Sequence, residues 1–210
     1  FELEEAPGVP FDDVVEVSGY VAALEHGMAR LRDGFPLSNR LMREMHQVLL
    51  ARGRGSEKAP GEFRRTQNWV GGTRPGNAHF VPPPPSHVED CMAALERFIH
   101  DEHTPYPTMV KAALAHVQFE TIHPFVDGNG RTGRMLITLF LHHAGLLELP
   151  VLYLSSYFKK HQKLYYQKLN AYHDEDSDVE GWLRFFLEGI IEMASSSIET
   201  CGKITDLRVR

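Results

Sequence analysis

Cysteine is nearly absent from this sequence. The two present, Cys91 and Cys201, stand far apart with no partner at metal-ligand spacing, so neither a disulfide framework nor a zinc site is indicated, and a reducing compartment fits. Long apolar runs are missing too. No stretch reaches the roughly 20 residues that a membrane-spanning helix needs. The opening Phe1-Glu2-Leu3-Glu4-Glu5 is too acidic for a secretory signal, so a cytoplasmic protein without membrane contact is expected. Nor is there a basic tract. The formal net charge is −6, with Lys and Arg scattered among Asp and Glu, which speaks against a nucleic-acid surface. No internal repeat is visible. The 210 residues begin without Met and stop inside a helix-like run, Cys201 to Leu207, which suggests a piece of something longer.

What is there is helical spacing. A hydrophobic content of 42% supports one buried core. Pro36-Leu37-Ser38 offers a cap before Leu41, Met45, Val48 and Leu49, which recur on one face. The segment 53–85 is rich in Gly, Pro, Arg and Asn. Its strand-like runs, Asn68-Trp69-Val70 and Ala78-His79-Phe80-Val81, flank turn residues and predict a short hairpin. Pro82 to Pro85 form a stiff strut, which could also serve as a ligand for an aromatic-grooved adaptor. Ser86 and Glu89 predict a capping box for a helix carrying Met92, Leu95 and Ile99. Further helices are expected through Val110, Ala113, Leu114 and Val117, through Met135 to Leu141 with Gly145 as the stop, from about Ser156 to Tyr172, and from about Asp178 onward. The expected fold class is all-α with a short β-hairpin flap. It divides into a helical lead-in over 1–35, a catalytic domain over 36–200 and the end of a C-terminal helix over 201–210.

One stretch is dense in chemistry: His123-Pro124-Phe125-Val126-Asp127-Gly128-Asn129-Gly130-Arg131-Thr132-Gly133-Arg134. Arg131 and Arg134 lie three apart in the first turn of a helix, where the macrodipole opposes positive charge, so an anion is expected beside them. The unsatisfied N–H groups of that turn and the flexible Gly128-Asn129-Gly130 backbone make a nest for phosphate oxygens. Two arginine forks suit a di- or triphosphate better than a lone carboxylate. Asp127 would repel phosphate unless a divalent cation bridged them, and Mg²⁺ is commonly held by one carboxylate plus substrate phosphates. His123 is placed to take a proton from a hydroxyl nucleophile. A His before Pro is also a common capping or core residue. Gly128, Gly130 and Gly133 match the dinucleotide fingerprint, but no strand precedes them. No Gly-Lys-Ser/Thr follows for a Walker loop.

The same stretch resembles the signature of the Fic (filamentation induced by cAMP) domain family, H-x-F-x-D/E-G-N-G-R-x-x-R. His123, Phe125, Asp127, Gly128, Asn129, Gly130, Arg131 and Arg134 fill its fixed positions. Phe63 to Gly72 and Asn77 to Pro85 resemble the family's flap, and Trp182-Leu183-Arg184-Phe185-Phe186-Leu187 its closing helix. The resemblance implies a protein adenylyltransferase, moving AMP from Mg-ATP to a Ser, Thr or Tyr hydroxyl of a target protein. His123 would be the base and Asp127 would hold Mg²⁺. Gly128, Asn129, Gly130, Arg131, Thr132, Gly133 and Arg134 would bind the nucleotide, with Tyr166 near the nucleoside. The target, the protein itself included, would dock on the flap (about 63–85). Removal of AMP, transfer of another phosphate-containing group and nucleotide binding without turnover stay open, as does a homodimer. Many family members carry a restraining helix, S/T-x-x-x-E-G/N. Ser195 and Glu199 have that spacing but Thr200 follows, so an inhibitory segment preceding residue 1 is expected.

Overall fold

The computed structural model describes residues 11–173 and 176–209. The acidic opening segment and the first part of the expected lead-in lie outside the described residues.

Eight α-helices carry the fold among the described residues: α1 (Phe11–Arg32), α2 (Asn39–Leu49), α3 (Val88–His100), α4 (Thr108–Ile122), α5 (Asn129–His143), α6 (Leu154–Lys160), α7 (Gln162–His173) and α8 (Val179–Val209). α2 starts where expected, because the Ser38 hydroxyl accepts from the Leu41 N–H at 3.4 Å and satisfies one of the orphan donors of the first turn. α5 is buried along nearly its whole length, from Asn129 to Leu141, and packs on α4, α1 and α2. α8 closes the other side: Trp182 is fully buried and its indole N–H donates to the Ala113 carbonyl of α4 at 3.0 Å. The α4–α5 pair therefore lies at the centre, and the loop between them, 123–128, carries the motif.

Three expectations change. The flap is not a paired hairpin: among the described residues a single isolated antiparallel bridge, Val70 to Phe80, joins its two runs. Gly71 and Gly72 both take positive φ and the prolines from Pro82 have no N–H to donate, so pairing stops on either side of the bridge. Ser86 caps nothing. Pro85–His87 form a 3₁₀ turn closed by the His87 N–H on the Pro84 carbonyl at 2.9 Å, and α3 begins after it without a side-chain cap. The helix expected from Ser156 to Tyr172 is two helices meeting at His161. The break serves two neighbours, with Tyr157 packing on Phe185 of α8 while Tyr165 reaches His116 of α4.

Candidate active site

Local chemistry fixes the motif loop. Asn129, 2% exposed, accepts from the Phe125 N–H and donates to the Phe125 carbonyl, both at 2.8 Å, tying the loop across itself. Phe125 is stacked on His46 of α2 with ring centroids 3.7 Å apart. His46 Nδ1 accepts from the Gly61 N–H at 2.8 Å, which leaves Nε2 to carry the proton and donate to the Asp127 carbonyl at 2.9 Å. Burial pushes its pKa down, so a neutral ring serves as a strut. Gly128 takes φ +77 at the N-cap of α5, and a Cβ there would meet the His46 ring at 3.2 Å. Both facts call for glycine.

The nest is narrower than the sequence suggests. The Gly128 N–H is already held by Asp127 Oδ1 at 2.6 Å, and the Thr132 N–H by the Gly128 carbonyl at 3.0 Å. The unsatisfied donors of the first turn of α5 are then those of Asn129, Gly130 and Arg131. Thr132 and Gly133, expected among the nucleotide contacts, are buried. The Thr132 hydroxyl donates to the Gly128 carbonyl. Gly133 faces α4, where a Cβ would stand 2.5 Å from Glu120 Oε1. Arg131 lies between two carboxylates, 3.7 Å from Asp127 Oδ1 and 3.6 Å from Glu16 Oε2 of α1.

His123 is the C-cap of α4, in the left-handed region at φ 49 and ψ 59. Its Nδ1 donates to the Glu120 carbonyl at 3.3 Å, leaving Nε2 as the basic nitrogen. Burial, more than any neighbour, holds its pKa down at about 4, so the imidazole is neutral and able to accept a proton at physiological pH. Its backbone is held from outside the motif. Arg64, 3% exposed and without a carboxylate partner among the described residues, donates to the carbonyls of His123 (2.9 Å), Ile122 (3.3 Å), Pro83 (2.6 Å) and Thr66 (3.4 Å). Two of these carbonyls end α4, where the helix dipole favours a cation. Asn68 adds bonds to the His123 and Phe125 carbonyls at 3.2 and 3.0 Å.

A cleft of about 160 Å³ opens beside this loop, lined by His123, Gly130 and Arg134, by Tyr165, Tyr166, Asn170 and His173 of α7, and by Val70 and Phe80 of the flap segment. Phe80 stacks on His173 at 3.8 Å, so the flap leans on the cleft wall. Tyr166 is half exposed on that wall. Its neighbour Tyr165 is buried and belongs to a relay. His116 Nδ1 donates to the Gly133 carbonyl at 2.9 Å, so Nε2 accepts the Tyr165 O–H at 3.0 Å, with the positive charge of Arg134 acting on the phenol. Burial keeps His116 neutral, its pKa pushed down to about 3. Nothing in the motif's own spacing announces His46, Arg64, Asn68, His116, Glu120 or Tyr165.

The fit of a divalent cation rests on Asp127. Among the described residues no group of three or more His, Cys, Asp or Glu could hold a metal ion, so a cation here needs oxygens from a ligand. Asp127 Oδ1 is engaged by the Gly128 N–H and Arg131, while Oδ2 lies near Gly55 and takes no hydrogen bond among the described residues. One such carboxylate oxygen beside the donors of Asn129, Gly130 and Arg131 fits a magnesium ion whose other ligands would come from phosphate oxygens.

Fold and site together define a helical domain with a neutral histidine beside the unsatisfied backbone donors that open a buried helix. The Fic/DOC family pattern matches residues 36–141, half of the chain, and the chain belongs to that family. It is 32% identical over 182 residues to "Protein adenylyltransferase Fic" of Drosophila ananassae, covering 86% of this chain and 33% of the relative. The Drosophila melanogaster protein of the same name is 32% identical over 183 residues, with 86% and 34% covered. The chain thus spans about a third of the length of these relatives. Among solved structures it resembles a Fic family protein from Desulfovibrio desulfuricans G20, with a TM-score of 0.73, 26% identity and 94% and 56% of the two chains covered. Fic-1 of C. elegans shares the fold at a TM-score of 0.69 and 24% identity, with 94% and 56% covered.

Proposed function

We propose that this domain is a protein adenylyltransferase, moving AMP from Mg-ATP to a Ser, Thr or Tyr hydroxyl of a target protein. The observation that carries it is the neutral His123, its Nδ1 tied to the Glu120 carbonyl, in one cleft with Gly130 at the start of α5 and with Arg134. The ATP polyphosphate lies on the N–H groups of Asn129, Gly130 and Arg131, with Arg134 on the outer phosphates and Tyr166 beside the nucleoside. Asp127 would hold magnesium, which when bound would supply charge neutralisation on the polyphosphate. The target hydroxyl oxygen attacks the α-phosphorus as the bond to the bridging oxygen of pyrophosphate breaks, and His123 Nε2 takes the hydroxyl proton. The nest donors and Arg131 meet the negative charge that builds on the transferring group. The flap segment around Val70 and Phe80 offers backbone edges to an extended target strand, presenting its hydroxyl to His123. The names of the Drosophila relatives support this reading.

The test is label transfer. With ATP labelled at the α-phosphate, the protein and co-incubated lysate proteins become labelled; with label at the γ-phosphate they do not. His123→Ala should lower transfer by about 10² to 10⁴ while leaving the Kd for Mg-ATP within twofold. Label retained from the γ-phosphate, or undiminished transfer by His123→Ala, rejects the reading.

A further inference from the structure

The flap segment is charged unlike the rest of the chain. Across 63–88 there is no Asp or Glu, while Arg64, Arg65 and Arg74 all fall there, in a protein whose formal net charge is −6. Arg65 and Arg74 are exposed. No ion pair holds either of them among the described residues, although arginines of α1, α2, α5 and α8 are paired. Trp69 on the first run and Val81 on the second are 39% and 45% exposed, with main-chain N–H groups that make no hydrogen bond among the described residues.

The positive charge gathers at the root of the flap. An open cavity of about 340 Å³ lies there, walled by Arg43, Arg64 and Arg65 and by Glu62 and Glu89. Glu62 is spent on Arg43 at 2.8 Å. Arg64, 3% exposed, gives its donors to carbonyls, which share its charge without cancelling it. The walls thus set three guanidinium groups against two carboxylates, and the charge on Arg64 is screened least because burial keeps water and salt from it. Arg64 also reaches the His123 carbonyl at 2.9 Å, so one side chain spans from this cavity to the backbone of the proposed base.

We propose that the target segment accepted by the flap is acidic, with one carboxylate side chain seated in the cavity beside Arg64 and Arg65 and another meeting Arg74 at the tip. This rests on the adenylyltransferase reading of the cleft. Val70 and Phe80, the bridged pair, line the cleft with His123, so a hydroxyl offered to His123 sits level with the bridge. Arg65 stands five positions before Val70 and Arg74 four after it. A strand laid alongside rises by about 3.3 Å per residue, no less than the flap itself, so the carboxylates fall within about five positions of the hydroxyl on either side. Backbone pairing holds any extended segment alike, and Trp69 and Val81 add apolar contact; the cations supply the choice between segments. A nucleic acid would meet the same cations, but the net negative charge of the rest of the chain opposes a long polyanion. A short acidic segment of a target need reach only the flap.

Label transfer to synthetic peptides tests this. Peptides carrying one central Tyr, Ser or Thr, flanked by Glu, by Gln or by Lys, are incubated with the protein and ATP labelled at the α-phosphate. The Glu-flanked set should be labelled roughly tenfold faster than the Gln-flanked set, about threefold for each of two exposed ion pairs, and the Lys-flanked set slowest. The preference should fade as salt rises from about 0.05 to about 0.5 M, because exposed pairs are screened. Arg65→Glu combined with Arg74→Glu should invert the order while leaving the Kd for Mg-ATP within about twofold, which also reports that the variant is folded. Equal labelling of the three sets, preference of the wild type for Lys flanks, or an unchanged order in the folded charge-reversed variant overturns the inference. So does labelling of lysate proteins, or of the protein itself, with no peptide labelled; the adenylyltransferase reading then stands alone. No label on any protein or peptide removes that reading and this inference with it.

Discussion

At the scale of single residues, the site is built by groups whose partners are distant in sequence. Arg64 is the clearest case. A buried guanidinium with no carboxylate is stable here because four carbonyls, two at the end of α4, share its charge. Arg64→Ala leaves those carbonyls without donors and should cost about 2–4 kcal/mol, read as a lower denaturant midpoint, with transfer lost more steeply than ATP binding. Arg64→Lys keeps the charge but not the planar fork and should fall between the two. The motif itself was legible from spacing, since His123, Asp127, Arg131 and Arg134 are within one loop and one helical turn. Arg64 was visible only as one arginine in a Gly/Pro-rich segment, because its role is set by carbonyls up to 59 residues away. His46 was hidden for the same reason, its acceptor on Asp127 standing 81 positions along the chain. Thr132 and Gly133 were expected among the ligand contacts, and their burial against α4 was not legible because a linear motif does not reveal which helix face turns inward.

At the scale of elements, local signals worked where local physics decides. Ser38 caps α2, Gly145 follows the end of α5 with φ +71, and the apolar run from Met135 to Leu141 is buried. They failed where two elements negotiate. The flap runs have strand-forming residues but no partner edge beyond one bridge. α6 and α7 part company because aromatic contacts to α8 and α4 pull in different directions. The α4–α5 contact explains Gly133: an added methyl would stand 2.5 Å from Glu120 Oε1, 3.1 Å from Phe119 Cδ1 and 3.3 Å from His116 Cε1. Gly133→Ala should therefore destabilise by about 1–3 kcal/mol, despite alanine's better helix propensity, and thermal unfolding would show it. Gly202→Ala, with open space around the same substitution on α8, is the control that should be neutral or stabilising.

At the scale of the whole molecule, opposed titrations shape stability against pH. His116 and His123, held at about 3 and about 4, stay neutral in the fold where the unfolded chain would protonate. Their contribution is present above the ordinary histidine value of 6.5 and is lost as pH falls from there through the folded values. Glu120, raised to about 7, has the opposite sign: its contribution is complete below 4.5 and is lost as pH rises past 7. Two groups against one make stability climb from about pH 4.5 to 6.5, at a slope Glu120 halves, and level off above pH 7, where all three groups are deprotonated in both states. Urea titrations across pH 4–9 should show stability rising to a plateau near pH 7, and in Glu120→Gln the rise between pH 4.5 and 6.5 should steepen about twofold. The Arg64 fastening carries a last consequence. One guanidinium clips the polyproline strut at Pro83 to the backbone of His123, so on the proposed function the strip where a client polypeptide would lie and the imidazole that would take its proton are a single mechanical unit. A client that tugs on the strip tugs on the imidazole, and seating a poor client would cost alignment of the base along with contact.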